Sequence, residues 1–235
     1  MSHPTGLLVD PTSVPGWLAL LVRRIARLGP GDLGPIPWEG PSKPASRAAA
    51  VLVLFAEDSA TGEPDVLLAL RSDQLSSHAG QVCFPGGAVD DVDDGPVATA
   101  LREATEEVGV RAEDVRPVAV LPPLYLPPSG FVVTPVLGHW ERPGPVAPVD
   151  RGETTAVARV LLRVLADPVN RLTVRGPSGY SYPAFLLPGM LIWGFTGGLL
   201  AALLAMGGWE RPWEPATEHD LDVARRLAER TEVIR

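Results

Sequence analysis

Apolar positions along this chain fall into blocks of two kinds, and the blocks predict an order of elements. Ala48 to Phe55 and Asp65 to Arg71 are apolar runs of strand length. The stretch between them, Glu57 to Pro64 with Thr61-Gly62, reads as a hairpin-type connection. Asp114 to Leu121 and Phe131 to Trp140 predict further strands. Helical spacing is found in Pro15 to Leu28, where Leu18, Leu21, Val22 and Ile25 share one face and Gly29-Pro30 supplies the stop. Leu161 to Ala166 suggests a short helix ended by Asp167-Pro168. Thr217 to Arg230 is a charged amphipathic helix, read as a solvated surface or a dimer contact. Residues 1–14 carry no period and read as loose, and Gly29 to Ser46 reads as an extended Gly/Pro connector.

One block departs from these periods. Gly176 to Gly208 has no charged side chain, and Leu186 to Met206 is long enough to span a bilayer. Pro188 and the glycines at 189, 194, 197 and 198 break it into a strand-like piece and a helix, and no basic cluster flanks it. A buried helix is therefore expected, and a membrane-associated protein is the rival reading.

Composition narrows the classes. The chain has 235 residues with a net charge of −8, and its pI near 5.0 excludes a basic nucleic-acid footprint. A lone cysteine, Cys83, rules out an intrachain disulfide and suits a cytoplasmic protein; its thiol is read as structural. The apolar run Trp17 to Val22 precedes its arginines, the reverse of a secretory signal.

The candidate chemistry lies between Gly80 and Val110. Pro85-Gly86-Gly87 forms a turn, and Asp90, Asp91, Asp93 and Asp94 form an acidic loop. In the helix that follows, Glu103, Glu106 and Glu107 stand at i, i+3 and i+4, so their carboxylates share a face. Leu101, Ala104 and Val108 mark the core side, and Gly109 ends the helix. Three stacked anions repel, and a hard divalent cation bound through oxygens is the simplest compensation.

Gly87, Asp93, Arg102-Glu103, Glu106-Glu107 and Gly109-Val110 resemble the Nudix box, with two departures: Asp93 stands for Glu, and eight residues separate it from Arg102. Leu67-Leu68-Ala69-Leu70-Arg71-Ser72 and Gly80 to Gly87 resemble the added signature of the coenzyme A pyrophosphatase subfamily, with Ala69 for Thr and Ser76 for a second Arg. Ser129-Gly130-Phe131 and Ile192-Trp193-Gly194-Phe195-Thr196 resemble later segments of that subfamily, and Glu153 to Leu162 resembles the family's Glu-Val-x-x-Val-x-x-Val-Pro-Leu strand with several substitutions, so the likeness covers about Ala48 to Leu204.

The resemblance implies an α/β fold, a Nudix α/β/α sandwich with a mixed sheet, to which this chain adds N- and C-terminal helices. It divides the chain into residues 1–46, a Nudix domain at 47–208 and an extension at 209–235. It also implies Mg²⁺- or Mn²⁺-dependent hydrolysis of coenzyme A or acyl-CoA. Another nucleoside diphosphate derivative (ADP-ribose, NADH) or a non-catalytic nucleotide binder is the alternative. Glu106 and Glu107 would hold metal with a carbonyl near Gly87, and Glu103 would be a ligand or the base. Arg102 would hold this geometry by pairing with a glutamate, Glu106 foremost, while Asp93 braces the loop. Arg71, Ser72, His78, Ser129 and Gly130 are candidate substrate contacts and Glu153 an auxiliary acid. For His78 and Glu153, ordinary loop and surface roles are the competing readings. The expected partner is a small nucleotide, with neither nucleic acid nor membrane; a homodimer through the terminal helices stays open.

Overall fold

The computed structural model describes residues 5–29, 33, 47–75, 78–126, 129–176, 179–215 and 218–230. The chain starts with β1 (Gly6–Leu7) and a 3-10 turn at Pro11–Ser13, then enters α1 (Gly16–Ile25). The apolar residues of α1 are buried at the predicted spacing, but the helix stops at Ile25 instead of Leu28. Next come β2 (Arg47–Glu57) and β3 (Pro64–Arg71), then β4 (Val82–Cys83) and β5 (Gly86–Ala88). α2 (Gly95–Val108) is longer than the box helix alone, because Pro96 in its first turn has no N–H to leave unpaired. Its far end is Gly109, at φ +75°, a left-handed position that glycine adopts without strain.

β6 (Val115–Val120), β7 (Leu124–Leu126) and β8 (Phe131–Trp140) follow, so the proline-rich crossover expected before Ser129 contains a short strand. β9 (Thr154–Leu161) leads into α3 (Leu162–Ala166). β8 lies parallel to β2 from Phe131↔Arg47 to His139↔Phe55, and β6 and β7 share its other edge. β3 runs antiparallel to β2 only at the hairpin, Val66↔Phe55, and pairs with β9 along its opposite edge. Beyond that point β2 and β3 diverge. β4 fills the gap from the β3 side and β5 from the β2 side, through Gly87↔Ala50. The diglycine turn is thereby set into the middle of a mixed sheet.

Alternation along β2 separates two cores. Ala50, Leu52, Leu54 and Ala56 face α2, with Ala100, Ala104 and Val108. Val53 and Phe55 face the other side, with Leu18, Leu21, Val22 and Ile25 of α1 and Leu199, Leu200, Leu203 and Leu204 of a later helix.

The charge-free block resolves as a strand pair and a helix. β10 (Arg171–Arg175), β11 (Ser181–Leu187) and β12 (Met190–Ile192) precede α4 (Gly194–Gly207), with Pro188 and Gly189 in the turn between β11 and β12. Among the described residues no helix is long and apolar enough to cross a membrane. A second sheet has the order β12–β11–β10 followed by β13 (Glu218–Asp220), and α5 (Leu221–Arg230) lies on it.

Several expectations are corrected. The amino-terminal stretch is not loose from Gly6 onward, since β1 pairs with β6 through Gly6↔Val120. α5 is not simply solvated: Leu221, Ala224 and Ala228 are buried with Leu172, Val174, Ala184 and Leu191 of the small sheet. β10 and β13 had no counterpart in the sequence reading. Most of the Gly29–Ser46 connector, Ser76 and Thr217 lie outside the described residues.

Candidate active site

Packing of Ala100, Ala104 and Val108 on β2 turns the acidic face of α2 toward β5. Arg102 is the centre of the cluster. Its Nε and Nη2 each donate to Asp93, at 2.9 Å. Nη1 donates to Glu103 at 2.9 Å and to Glu106 at 3.0 Å, and Nη2 also reaches the Ala88 carbonyl at 3.0 Å. The guanidinium therefore pairs with both glutamates, and the two-pronged bond to Asp93 fixes its plane.

Asp93 is enclosed, with its side chain 3% exposed. It also accepts from Thr99 Oγ1 and from the Asp90 N–H, at 2.9 Å each. These bonds, Arg102 first, hold its carboxyl far below the usual carboxylate range. The acidic loop is thus tied to the second turn of the helix, and Thr99 is a participant that the sequence reading missed.

Glu107 is the buried member and Glu106 the exposed one. The Glu107 side chain is 7% exposed, accepts from the Gly86 N–H at 3.0 Å, and has Arg71 Nη1 at 3.8 Å. Burial pushes its carboxyl up to about 7; the Gly86 bond and Arg71 oppose this, and Glu103 and Glu153 add to it. Burial raises Glu103 as well, against the pull of Arg102. Gly87 supports Glu103 from below: a Cβ there would stand 2.5 Å from the Glu103 carboxyl carbon. Gly86 approaches β2 as closely, and its Cβ would meet Val51 Cα at 2.6 Å. Both glycines are required by close approach of backbone to backbone and backbone to carboxylate.

The remaining candidates divide. Arg71, at the end of β3, joins the cluster, and its Nε is buried without a partner among the described residues. Glu153 is exposed, but its charge is felt at Glu107 and its carbonyl accepts from the Ser72 N–H at 2.8 Å. Ser72 is buried, with its hydroxyl accepting from the Gln74 N–H. His78 is exposed at φ +56° and faces Gln81 at 3.1 Å, so no described contact joins it to the cluster. Ser129 and Gly130 close the turn into β8, where the Ser129 hydroxyl bonds Leu126 O at 3.3 Å. Burial and the Glu107 charge push the Cys83 thiol up to about 12, which makes it a poor nucleophile.

The donor set can be compared with a metal ion. Carboxylate and carbonyl oxygens suit a hard divalent cation. Among the described residues no three acidic, His or Cys side chains form a ready-made metal cluster. In this conformation Arg102 occupies one oxygen of Glu103 and one of Glu106, so a cation would share both carboxylates with the guanidinium.

Comparison with known proteins gives the family. A NUDIX domain profile matches residues 45–168, more than half of the chain. The Nudix hydrolase NudL of Cronobacter sakazakii is 52% identical over 92 residues, 39% of this chain and 46% of that protein. Its counterpart in Escherichia coli (strain K12) is 49% identical over the same shares. The chain thus matches about half the length of these relatives. A solved Nudix hydrolase from M. Smegmatis, RenU, aligns at TM-score 0.43 with 27% identity, covering 52% of this chain and 74% of that one. With the matched profile spanning β2 to α3 and the mixed sheet layered between helices, the chain belongs to the Nudix family and has its α/β/α sandwich.

Proposed function

We propose that this chain hydrolyses the pyrophosphate bond of coenzyme A or an acyl-CoA, giving (acyl)phosphopantetheine and adenosine 3′,5′-bisphosphate. One observation carries the reading. Arg71, from the upstream signature, stands 3.8 Å from Glu107 of the box, so the two motifs meet at one place. Nudix membership supports the hydrolytic chemistry, and the upstream signature supports the substrate.

In this reading Glu106 and Glu107 hold Mg²⁺ or Mn²⁺ with a carbonyl near Gly87, and Glu103 is a further ligand or the base. When bound, the metal offsets phosphate charge and lowers the pKa of a coordinated water. Arg102 ties Glu103 and Glu106 to Asp93, which limits their motion. Arg71 would orient phosphate oxygens through its guanidinium, which already stands beside Glu107.

The test is a panel of coenzyme A, ADP-ribose, NADH and dinucleoside polyphosphates with either metal, scored by product. Coenzyme A should rank first with phosphopantetheine released; a far higher rate on another member refutes the substrate assignment and keeps the chemistry. Glu106→Gln separates an enzyme from a binder. Its side chain is 60% exposed, so the fold should persist while turnover falls by ~10²-fold or more. A wild-type protein that binds nucleotide and turns over none of the panel refutes the enzymatic reading.

A further inference from the structure

Every N–H of the Arg102 guanidinium has an acceptor. Nε and Nη2 donate to Asp93, Nη2 also to the Ala88 carbonyl, and Nη1 to Glu103 and Glu106. A divalent cation that takes up Glu103 and Glu106 meets this guanidinium at both carboxylates, and the like charges repel. One group must give way. Glu103 has little freedom on the side of the diglycine turn, where a Cβ at Gly87 would already lie 2.5 Å from its carboxyl carbon. The guanidinium, by contrast, has an anchor on its other edge, and that anchor is Asp93.

Asp93 holds Arg102 only as firmly as it is held itself. Its Oδ1 accepts from Arg102 Nε, and its Oδ2 accepts from Arg102 Nη2, the Asp90 N–H and the Thr99 hydroxyl, at 2.9 Å each. The Asp90 bond comes from the same loop. Thr99 is different: it is fully buried in α2, and it joins the carboxylate to the helix that carries Arg102, Glu103 and Glu106. Its hydroxyl has a second acceptor, Gly95 O at 3.2 Å, the ordinary back-bond of a helical threonine. A hydroxyl has one hydrogen, and the shorter bond to a charged oxygen is the stronger of the two. A threonine serving the helix alone would have only the Gly95 bond.

We propose that Thr99 is a positioning residue for metal uptake: by pinning Asp93 to α2 it keeps the guanidinium drawn toward Asp93 and leaves Glu103 and Glu106 able to accept a divalent cation. This rests on the reading that Glu106, with Glu103 as a further ligand, takes up the metal. Without the hydroxyl, Asp93 has one donor fewer and can follow Arg102 toward the glutamates. The guanidinium then competes better with the cation for their oxygens. Thr99 itself touches neither metal nor substrate, and its effect is on how readily the site fills.

Titration of the full chain with Mn²⁺ in the absence of substrate, with free ion followed by electron paramagnetic resonance, tests the proposal. Thr99→Val keeps the shape of the side chain and removes the hydroxyl, whereas Thr99→Ser keeps the hydroxyl. Thr99→Val should weaken Mn²⁺ binding about tenfold, the low end for a group that orients ligands from behind, and Thr99→Ser should bind close to wild type. In an Asp93→Asn background the same Thr99→Val change should add little, because the two groups act in series. Should Thr99→Val fail to fold, Thr99→Ala carries the same comparison. Wild-type Mn²⁺ affinity in Thr99→Val, whatever its melting temperature, assigns the residue to the fold alone and overturns the proposal. Thr99→Ser as weak as Thr99→Val, or equal losses in both backgrounds, does the same. A wild-type protein that binds no Mn²⁺ overturns the metal reading along with it.

Discussion

At the scale of residues, the cluster is a set of close approaches with little room to adjust. Gly87→Ala puts a methyl 2.5 Å from the Glu103 carboxyl carbon, so the carboxylate must move. Displacing a reacting-site group by about 1 Å costs on the order of 10²-fold in rate. We expect kcat to fall by that order while the melting temperature changes little; equal kcat would remove Glu103 from the site. The Asp93–Arg102 bond supports a pH experiment. Because the Asp93 carboxyl is held below its unfolded value, its stabilisation is complete above about pH 4 and is lost as pH falls through the lowered folded value. Wild type should therefore exceed Asp93→Asn in stability at pH 7, and the gap should close below about pH 4 in urea titrations. A gap independent of pH would mean that the pairing does not depend on ionisation. Cys83, pushed up to about 12, should resist a thiol reagent at pH 8 in the native protein and react on unfolding.

At the scale of elements, α4 shows how a charge-free helix can be buried against a sheet. Its Gly197 lies against β11, where a Cβ would come within 2.8 Å of Pro183 O and 3.1 Å of Ile192 O. Both neighbours are backbone and cannot turn aside. Gly197→Ala should therefore lower stability by about 1–3 kcal/mol in urea unfolding; a neutral result would show that the helix is free to slide. The longer strands were legible in sequence because burial on two faces leaves an unbroken apolar run, and β8 has the predicted bounds, Phe131–Trp140. β4, β5, β7 and β13 were not, because two or three residues carry no period and their strand character comes from a partner far along the chain. The acidic face of α2 was visible from spacing alone. The Arg102 bonds to Asp93 and to the Ala88 carbonyl were not, since they depend on how the loop between Gly87 and Gly95 folds back. In α5 the apolar spacing of Leu221, Ala224 and Ala228 was available, but the sheet that covers it was not.

At the scale of the whole molecule, three helices from distant parts of the chain enclose the large sheet. α2 covers one face, and α1 and α4 share the other. The region matched by the family profile, 45–168, includes α2 but neither α1 nor α4. A fragment trimmed to those limits would present Val53, Phe55, Val66, Leu68, Val118 and Leu137 to water on one side. Burial of such side chains contributes about 1.5–3 kcal/mol each, so we expect the fragment to aggregate or to bind a hydrophobic dye, as seen by light scattering or fluorescence. The boundary drawn by homology is therefore narrower than the set of elements that cover the sheet, and dissection of this protein should begin from the full chain.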